Sequence, residues 1–268
     1  MKLIFIGSGS AFTLTNYQSN MLLISDQDTK LLIDCGTDAR FALKSLGLSY
    51  TDIGHIYISH LHSDHVGGLE WLGFTRKFDP QCSKPHLYIS RFIKNELWNN
   101  VLSGGMRSLQ GEVTDLYSYF TVHSIPHNGS FVWEGVEFQL IQTIHIMDGF
   151  SIVPSFGLLF TMNGIKTFLT TDTQFSPEQI KDFYNKADVI FHDCETATHE
   201  SGVHAPYKKL RTLPEHQKNK MWLYHYQDGE LPDARADGFL GFVRQGQIFD
   251  FDHPDSIFGS GPLGPEKP

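Results

Sequence analysis

Runs of Lys and Arg are missing from this chain, whose formal charge is −9. A broad electropositive face for a nucleic-acid duplex is therefore excluded, and any phosphate-bearing substrate has to be met locally, by metal ions. Cysteine is also scarce, with Cys35, Cys82 and Cys194 in no paired spacing. That argues against a disulfide framework or a Cys-based zinc site, and it fits a reducing compartment and three buried free thiols. Long apolar stretches are absent too. No segment approaches the roughly 18 apolar residues needed to span a bilayer, and the first apolar run is too short for a signal peptide. A soluble, cytoplasmic protein with no membrane partner is expected.

What the chain does have is material for a core. Hydrophobic residues make up 40% of its 268 positions, and 21 Phe, 10 Tyr and 4 Trp are spread throughout, which predicts a globular fold. Leu3 to Ile6, Met21 to Ile24, Leu31 to Ile33 and Ile53 to Ser59 are short apolar runs that stop at turn residues and read as strands. The spacing of Phe41, Ala42, Leu43 and Leu46 predicts a helix over Asp38 to Leu46, closed by Gly47. Residues 80–111 are less regular, with a short strand from His86 to Ile89, a helix from Arg91 to Leu102 and a Ser-Gly-Gly turn. Alternation of Val136, Phe138 and Leu140 with Glu137 and Gln139 predicts a half-buried strand from Gly135 to Ile144, ending at His145. Asn163-Gly164 joins Phe156–Met162 to Ile165–Thr171 as a hairpin that delivers Asp172. Ser176-Pro177 starts a helix to about Lys186, Ala187 to Phe191 is a strand running into His192-Asp193, and Met221 to Tyr226, the last clear strand, carries His225. One domain over residues 1–253 is expected, with a Gly/Pro-rich tail over 254–268 of little regular structure.

The strongest chemical signal is His60-Leu61-His62-Ser63-Asp64-His65. Imidazole and carboxylate ligate zinc, manganese or iron, and four such groups in six residues at a strand-to-helix turn converge on a small volume. Four ligands nearly fill one tetrahedral site, yet hydrolysis needs an open water position, so the quartet divides more naturally between two ions with distant residues completing each. Three later residues qualify because each follows an apolar strand: His145, with His127 as its rival, Asp172 and His225. A carboxylate such as Asp172 can bridge two cations about 3.5–4 Å apart. The isolated histidines His55, His86, His123, His199, His216 and His253 read as surface or core residues instead.

The stretch His60-Leu61-His62-Ser63-Asp64-His65-Val66-Gly67-Gly68 resembles the metallo-β-lactamase signature. Gly7-Ser8-Gly9-Ser10-Ala11, Leu32-Ile33-Asp34-Cys35-Gly36, the His cluster, His145, Asp172 and His225 follow the order of its ribonuclease Z-like, phosphodiester-cleaving branch. That resemblance covers about residues 1–230 and implies an α/β fold, the four-layer αββα sandwich. It implies that His60, His62 and His145 hold one ion, Asp64, His65 and His225 the other, and that Asp172 bridges them. Val189-Ile190-Phe191-His192-Asp193 followed by Gly202-Val203-His204 is similar to the acid-then-histidine pair that protonates the leaving oxygen in this branch, with Asp193 standing where the family usually has Glu. Cations of this kind lower the pKa of water and offset charge on the phosphoryl oxygens. The catalytic residues are then Asp64, orienting the water, and His204, a general acid held by Asp193.

The tRNA-processing members carry a protruding arm between the positions matching His145 and Asp172, whereas only 26 residues lie between them here. The armless form, together with Phe191-His192-Asp193-Cys194-Glu195-Thr196, looks like the anti-Pycsar phosphodiesterases, homodimers that degrade cyclic mononucleotide signals in antiphage defence. The first expectation is therefore a phosphodiesterase with two divalent ions, zinc ahead of manganese, acting on cyclic nucleotides, as a homodimer and without large nucleic acid as a partner. A ribonuclease Z-type endonuclease comes second, and another metallo-hydrolase such as a lactonase or arylsulfatase third. Trp71 to Phe78 or the loop around Tyr207 are candidates for base stacking across the dimer.

Overall fold

The computed structural model describes residues 1–259. In chain order its strands are Lys2–Phe5 (β1), Met21–Ile24 (β2), Lys30–Ile33 (β3), His55–Ile58 (β4) and His86–Ser90 (β5), then a two-stranded ribbon of Ser108–Leu109 (β6) and Glu112–Val113 (β7), then Thr121–Ile125 (β8). Ser130–Trp133 (β9), Val136–Met147 (β10), Ile152–Met162 (β11), Ile165–Leu169 (β12), Val189–Asp193 (β13), Met221–Tyr224 (β14) and Gly241–Phe242 (β15) follow, and Ile248–Asp250 (β16) returns to the start of the chain. One seven-stranded sheet has the order β16-β1-β2-β3-β4-β5-β8 and the other β15-β14-β13-β12-β11-β10-β9.

Phe5 of the first sheet meets Phe191 and Tyr224 of the second with ring centroids 5.3 Å apart, and Tyr57 meets Phe131 at 5.6 Å, so the two sheets pack face to face. Each fully buried phenyl contributes on the order of 2 kcal/mol. Helices cover the outer faces. Arg91–Glu96 lies on β5 and β8, while Lys181–Lys186 lies on β12, where Tyr184, Phe168, Ile180 and Ile190 form a separate apolar cluster. The expected αββα sandwich is thus the fold observed.

Parallel pairing decides where the site lies. β3, β4, β5 and β8 run parallel, and so do β12, β13, β14 and β15, so the C-terminal ends of each set share one edge. Asp34, Ser59-His60, Asp172, Asp193 and His225 all fall at or just after those ends.

Several boundaries differ from the expectation. Ser103-Gly104-Gly105 continues a helical run as Ser103–Met106 instead of turning. Ser176-Pro177 begins a turn, and the helix starts only at Lys181. β10 passes through His145 to Met147 with a register shift between Ile144 and Ile146, so His145 lies inside a strand, at the bulge. Cys82 is partly exposed, unlike buried Cys35 and Cys194. Asn163 (φ 47°) and Gly164 (φ 81°) form the expected hairpin turn. The C-terminal stretch contains one 3-10 turn, Pro254–Ser256, and Ile257 is buried, its carbonyl accepting a 2.7 Å bond from the Trp222 indole; residues 260–268 lie outside the described residues. Among the described residues no helix is long and apolar enough to cross a membrane.

Gly36 lets the turn after β3 approach the backbone of the His60–His65 segment closely. A Cβ there meets the Asp64 carbonyl oxygen at 2.1 Å, and the Gly36 amide donates to Asn20 Oδ1, whose amide nitrogen donates in turn to Asp64 O. Gly36→Ala is expected to cost about 1–3 kcal/mol, measured by denaturant unfolding. At the opposite edge of the first sheet His55, His86 and His123 stack at 4.8 and 5.1 Å, and His86 and His123 share a 2.8 Å hydrogen bond. Burial first, then the charges of His86, His123 and Arg76, lowers the His55 pKa to about 4. His55 stays neutral in the fold but takes a proton near its ordinary pKa when unfolded, so its contribution is present above about pH 6.5 and is lost as pH falls towards 4. His55→Gln is therefore expected to flatten the fall in unfolding free energy between those limits by roughly 1 kcal/mol, after discounting for partial exposure, as measured by denaturant unfolding at each pH.

Candidate metal centre

The edge where parallel strands end collects the polar groups, and the backbone is bent there to aim them. Asp34 (φ 62°), Thr171 (φ 52°) and His225 (φ 69°) occupy the left-handed region although none is glycine, and each directly follows or nearly follows a strand. Such residues cost on the order of 1–3 kcal/mol each and persist only where their surroundings hold them. Hydrogen bonds do so here. Asp34 N donates to Tyr57 O at 2.8 Å, His225 N to Ser8 O at 2.8 Å, and Thr171 Oγ1 pairs with Ser155 Oγ at 2.8 Å.

Asp172 sits at the centre, 1% exposed. Its Oδ2 lies 3.3 Å from His65 Nε2, 3.4 Å from His225 Nε2, 3.7 Å from His60 Nε2 and 3.8 Å from His145 Nε2. Two groups of side chains with metal-ligating atoms within 4.8 Å of one another share it. One is His60, His62, His145 and Asp172; the other is Asp64, His65, Asp172 and His225. All seven residues singled out from the sequence are thus brought together. His127 is not among them; it is exposed and packs edge-on against Phe92. A third group, Asp193, His204 and His225, is similarly close, but His204 Nδ1 is already engaged by Asp193 Oδ2 at 2.8 Å.

The donor set fits divalent cations. His60 Nε2, His65 Nε2, both Asp172 oxygens and His225 Nδ1 are buried without hydrogen-bond partners, a concentration of unpaired polar atoms that a folded interior does not tolerate without compensation. His62 Nδ1 and His145 Nε2 stand 3.1 Å apart, close to the roughly 3.3 Å edge of a tetrahedron with zinc–nitrogen bonds of about 2.0–2.1 Å. Burial pushes the pKa values of His60, His62 and His145 down, the last to about 4, which leaves neutral imidazoles with free lone pairs. Burial alone would raise Asp64 and Asp172, but the adjacent His65 and, for Asp172, His225 above all, hold both carboxyls below the ordinary range.

Partners behind the candidate ligands fix their orientation. Asp34 Oδ2 accepts from His65 Nδ1 at 2.7 Å and also from Ser59 Oγ, while Ser59 Oγ is 3.0 Å from His60 Nδ1. The Val203 carbonyl is 2.9 Å from His145 Nδ1, so the segment that carries His204 also touches a candidate ligand. The sequence reading gave Asp34 and Val203 no role. Asp34 stood in a motif already singled out, whereas a main-chain carbonyl leaves no trace in residue type. Glu195 organises the same segment, since both its carboxylate oxygens accept from Ser201 N. For His204 burial works against the charged form, but the Asp193 carboxylate and its hydrogen bond outweigh it and raise the pKa to about 9. Tyr207 does not offer a free ring for stacking. It is buried against Phe239 and Phe242, with its hydroxyl bonded to Asp237 at 2.6 Å.

Comparison with known proteins agrees with this geometry. The chain is 32% identical over 256 residues to the anti-Pycsar protein Apyc1 of Bacillus phage vB_BveM-Goe7, covering 92% of this chain and 96% of that protein. It is 33% identical over 252 residues to the protein of the same name from Paenibacillus sp. (strain J14), covering 93% and 98%. The metallo-β-lactamase fold protein YhfI from Bacillus subtilis superposes with a TM-score of 0.72 at 15% identity, over 92% of this chain and 98% of that one. Since the family model described as anti-Pycsar protein Apyc1 also matches residues 1–249, this chain belongs to the anti-Pycsar Apyc1 family, built on the metallo-β-lactamase fold.

Proposed function

We propose that this protein is a binuclear-metal phosphodiesterase that hydrolyses 3′,5′-cyclic mononucleotides to mononucleotides, and that it thereby removes a cyclic-nucleotide signal of antiphage defence in the cytoplasm. The observation that carries the reading is the central position of Asp172 Oδ2, 3.3–3.8 Å from nitrogens of four histidines on both sides of it. His60, His62 and His145 would hold one ion and Asp64, His65 and His225 the other, zinc first and manganese second, with Asp172 between them. When bound, two such cations supply an acidified water and neutralise charge on the phosphoryl oxygens.

The chain's own groups do the rest. Asp64, whose Oδ2 lies 3.1 Å from His65 Nε2 and 3.4 Å from His225 Nε2, would orient the attacking water or accept its proton. Water adds to phosphorus, one ester P–O bond breaks, and the departing ribose oxygen needs a proton. His204, raised to about 9 by Asp193, carries that proton at neutral pH. A tight β10–β11 connection supports a small substrate, because Asp148 closes on Ser151 within four residues and no arm extends from it. The formal charge of −9 argues in the same direction, against large nucleic acid. The homodimer belongs to this reading, supported by Met147, Phe150 and Ile152, which stand exposed around that connection where a second copy would cover them. A monomeric mass by light scattering would remove it.

Purified protein offered cyclic mononucleotides, a precursor tRNA and a lactone is expected to cleave the first. Cleavage of the lactone alone would discard the phosphodiester reading. Chelation is expected to abolish the activity and added zinc or manganese to restore it. His204→Ala should lower kcat on cyclic mononucleotides by about 10²–10⁴-fold. The same variant should lose far less on bis(p-nitrophenyl) phosphate, whose leaving group needs no proton, and an equal loss on both substrates would remove His204 from the acid role.

A further inference from the structure

Asp193 has more work available than holding one histidine. Its side chain is completely buried, and Oδ2 alone accepts both from Thr173 N and from His204 Nδ1, each at 2.8 Å. Oδ1 has no hydrogen-bond partner. It faces His225 Nδ1 at 3.6 Å, and that nitrogen is likewise buried without a hydrogen bond. An unpaired buried polar group is destabilising, and here a complementary acceptor and ring nitrogen confront each other across a gap slightly too long for a bond.

The rest of His225 says which tautomer the pair requires. Nε2 points at Asp64 Oδ2 and Asp172 Oδ2, 3.4 Å from each, so a cation on that side leaves the ring proton on Nδ1, aimed at Asp193. The backbones on either side are fixed. His225 N donates to Ser8 O, Asp193 N donates to Thr170 Oγ1 at 3.1 Å, and the Asp193 carbonyl is 2.6 Å from His192 Nδ1. We propose that Asp193 is a shared positioning residue: one carboxylate oxygen orients His204 and the other orients the ligand His225, so that the leaving-group acid and one ion's ligand set are built on a single side chain. With the Val203 carbonyl on His145, the segment from Asp193 to His204 is then anchored to both ligand sets.

The inference rests on the two-ion reading above, and zinc affinity tests it separately from activity. Metal-free wild type, Asp193→Asn and His204→Ala are titrated with zinc against a chromophoric chelator. Asp193→Asn is expected to lose about 10–100-fold in affinity at one of two sites and to keep the other, while His204→Ala keeps both. Wild-type binding at both sites in Asp193→Asn would confine that carboxylate to His204 and overturn the inference alone. Failure of the wild type to take up two ions would overturn the two-ion reading itself. Should Asp193→Asn not fold, the zinc-loaded wild type decides by NMR. A slowly exchanging, downfield Nδ1 proton on His225 supports the shared role, and rapid exchange with solvent overturns it.

Discussion

A carboxylate removed from water must be compensated by charge, and the architecture of this protein follows from how Asp172 meets that demand. With both oxygens buried and unpaired, it is surrounded by four imidazoles instead of by hydrogen-bond donors of the main chain. Neutral imidazoles cannot balance it, and burial keeps His60, His62 and His145 neutral. His65, raised by the carboxylates around it, supplies part of the charge, and divalent cations in the two clusters would supply the rest, so that metal binding would add to the free energy of the folded state. The backbone is bent to achieve this. Three non-glycine residues in left-handed conformations bring the candidate ligands and their supporters to one point, and hydrogen bonds to Tyr57, Ser155 and Ser8 maintain the bends.

Much of this was legible from residue order. The quartet His60-Leu61-His62-Ser63-Asp64-His65 and the strand-end positions of Asp172 and His225 pointed to side chains that the fold gathers at one place, because parallel strands in such folds present their C-terminal ends to one edge. The alternating pattern of β10 announced the strand but not its continuation through His145, since a bulge shifts register without changing residue type. β15 and β16, of two and three residues, carry too short a pattern to be seen, although β16 completes the first sheet. Tyr207 shows the opposite failure. Its aromatic ring suggested a contact surface, yet Phe239 and Phe242, distant in sequence, enclose it, and no local pattern records a tertiary neighbour.

The supporting residues behind the ligands were the least visible. Asp34 reads as a turn aspartate and Ser59 as the end of a strand, and only the fold reveals that they steady His65 and His60. Val203 contributes a carbonyl, for which any residue would serve. Side chains that meet the chemistry are constrained in type, whereas those that hold them in place are constrained chiefly in position. This is why a family can be identified from a few residues while the stiffness of its site has to be seen in space.

The pairing of β1 with β16 sets a schedule for synthesis. Lys2 lies opposite Asp250 and Ile4 opposite Ile248, so β1 leaves the ribosome long before the strand that covers its outer edge. Until then a half-built sheet presents unpaired amides and carbonyls to the crowded cell, the situation in which nascent chains associate wrongly or recruit chaperones. A fragment that ends before β16 cannot cover that edge, so the first sheet is finished only once the residues around Phe249 have been made.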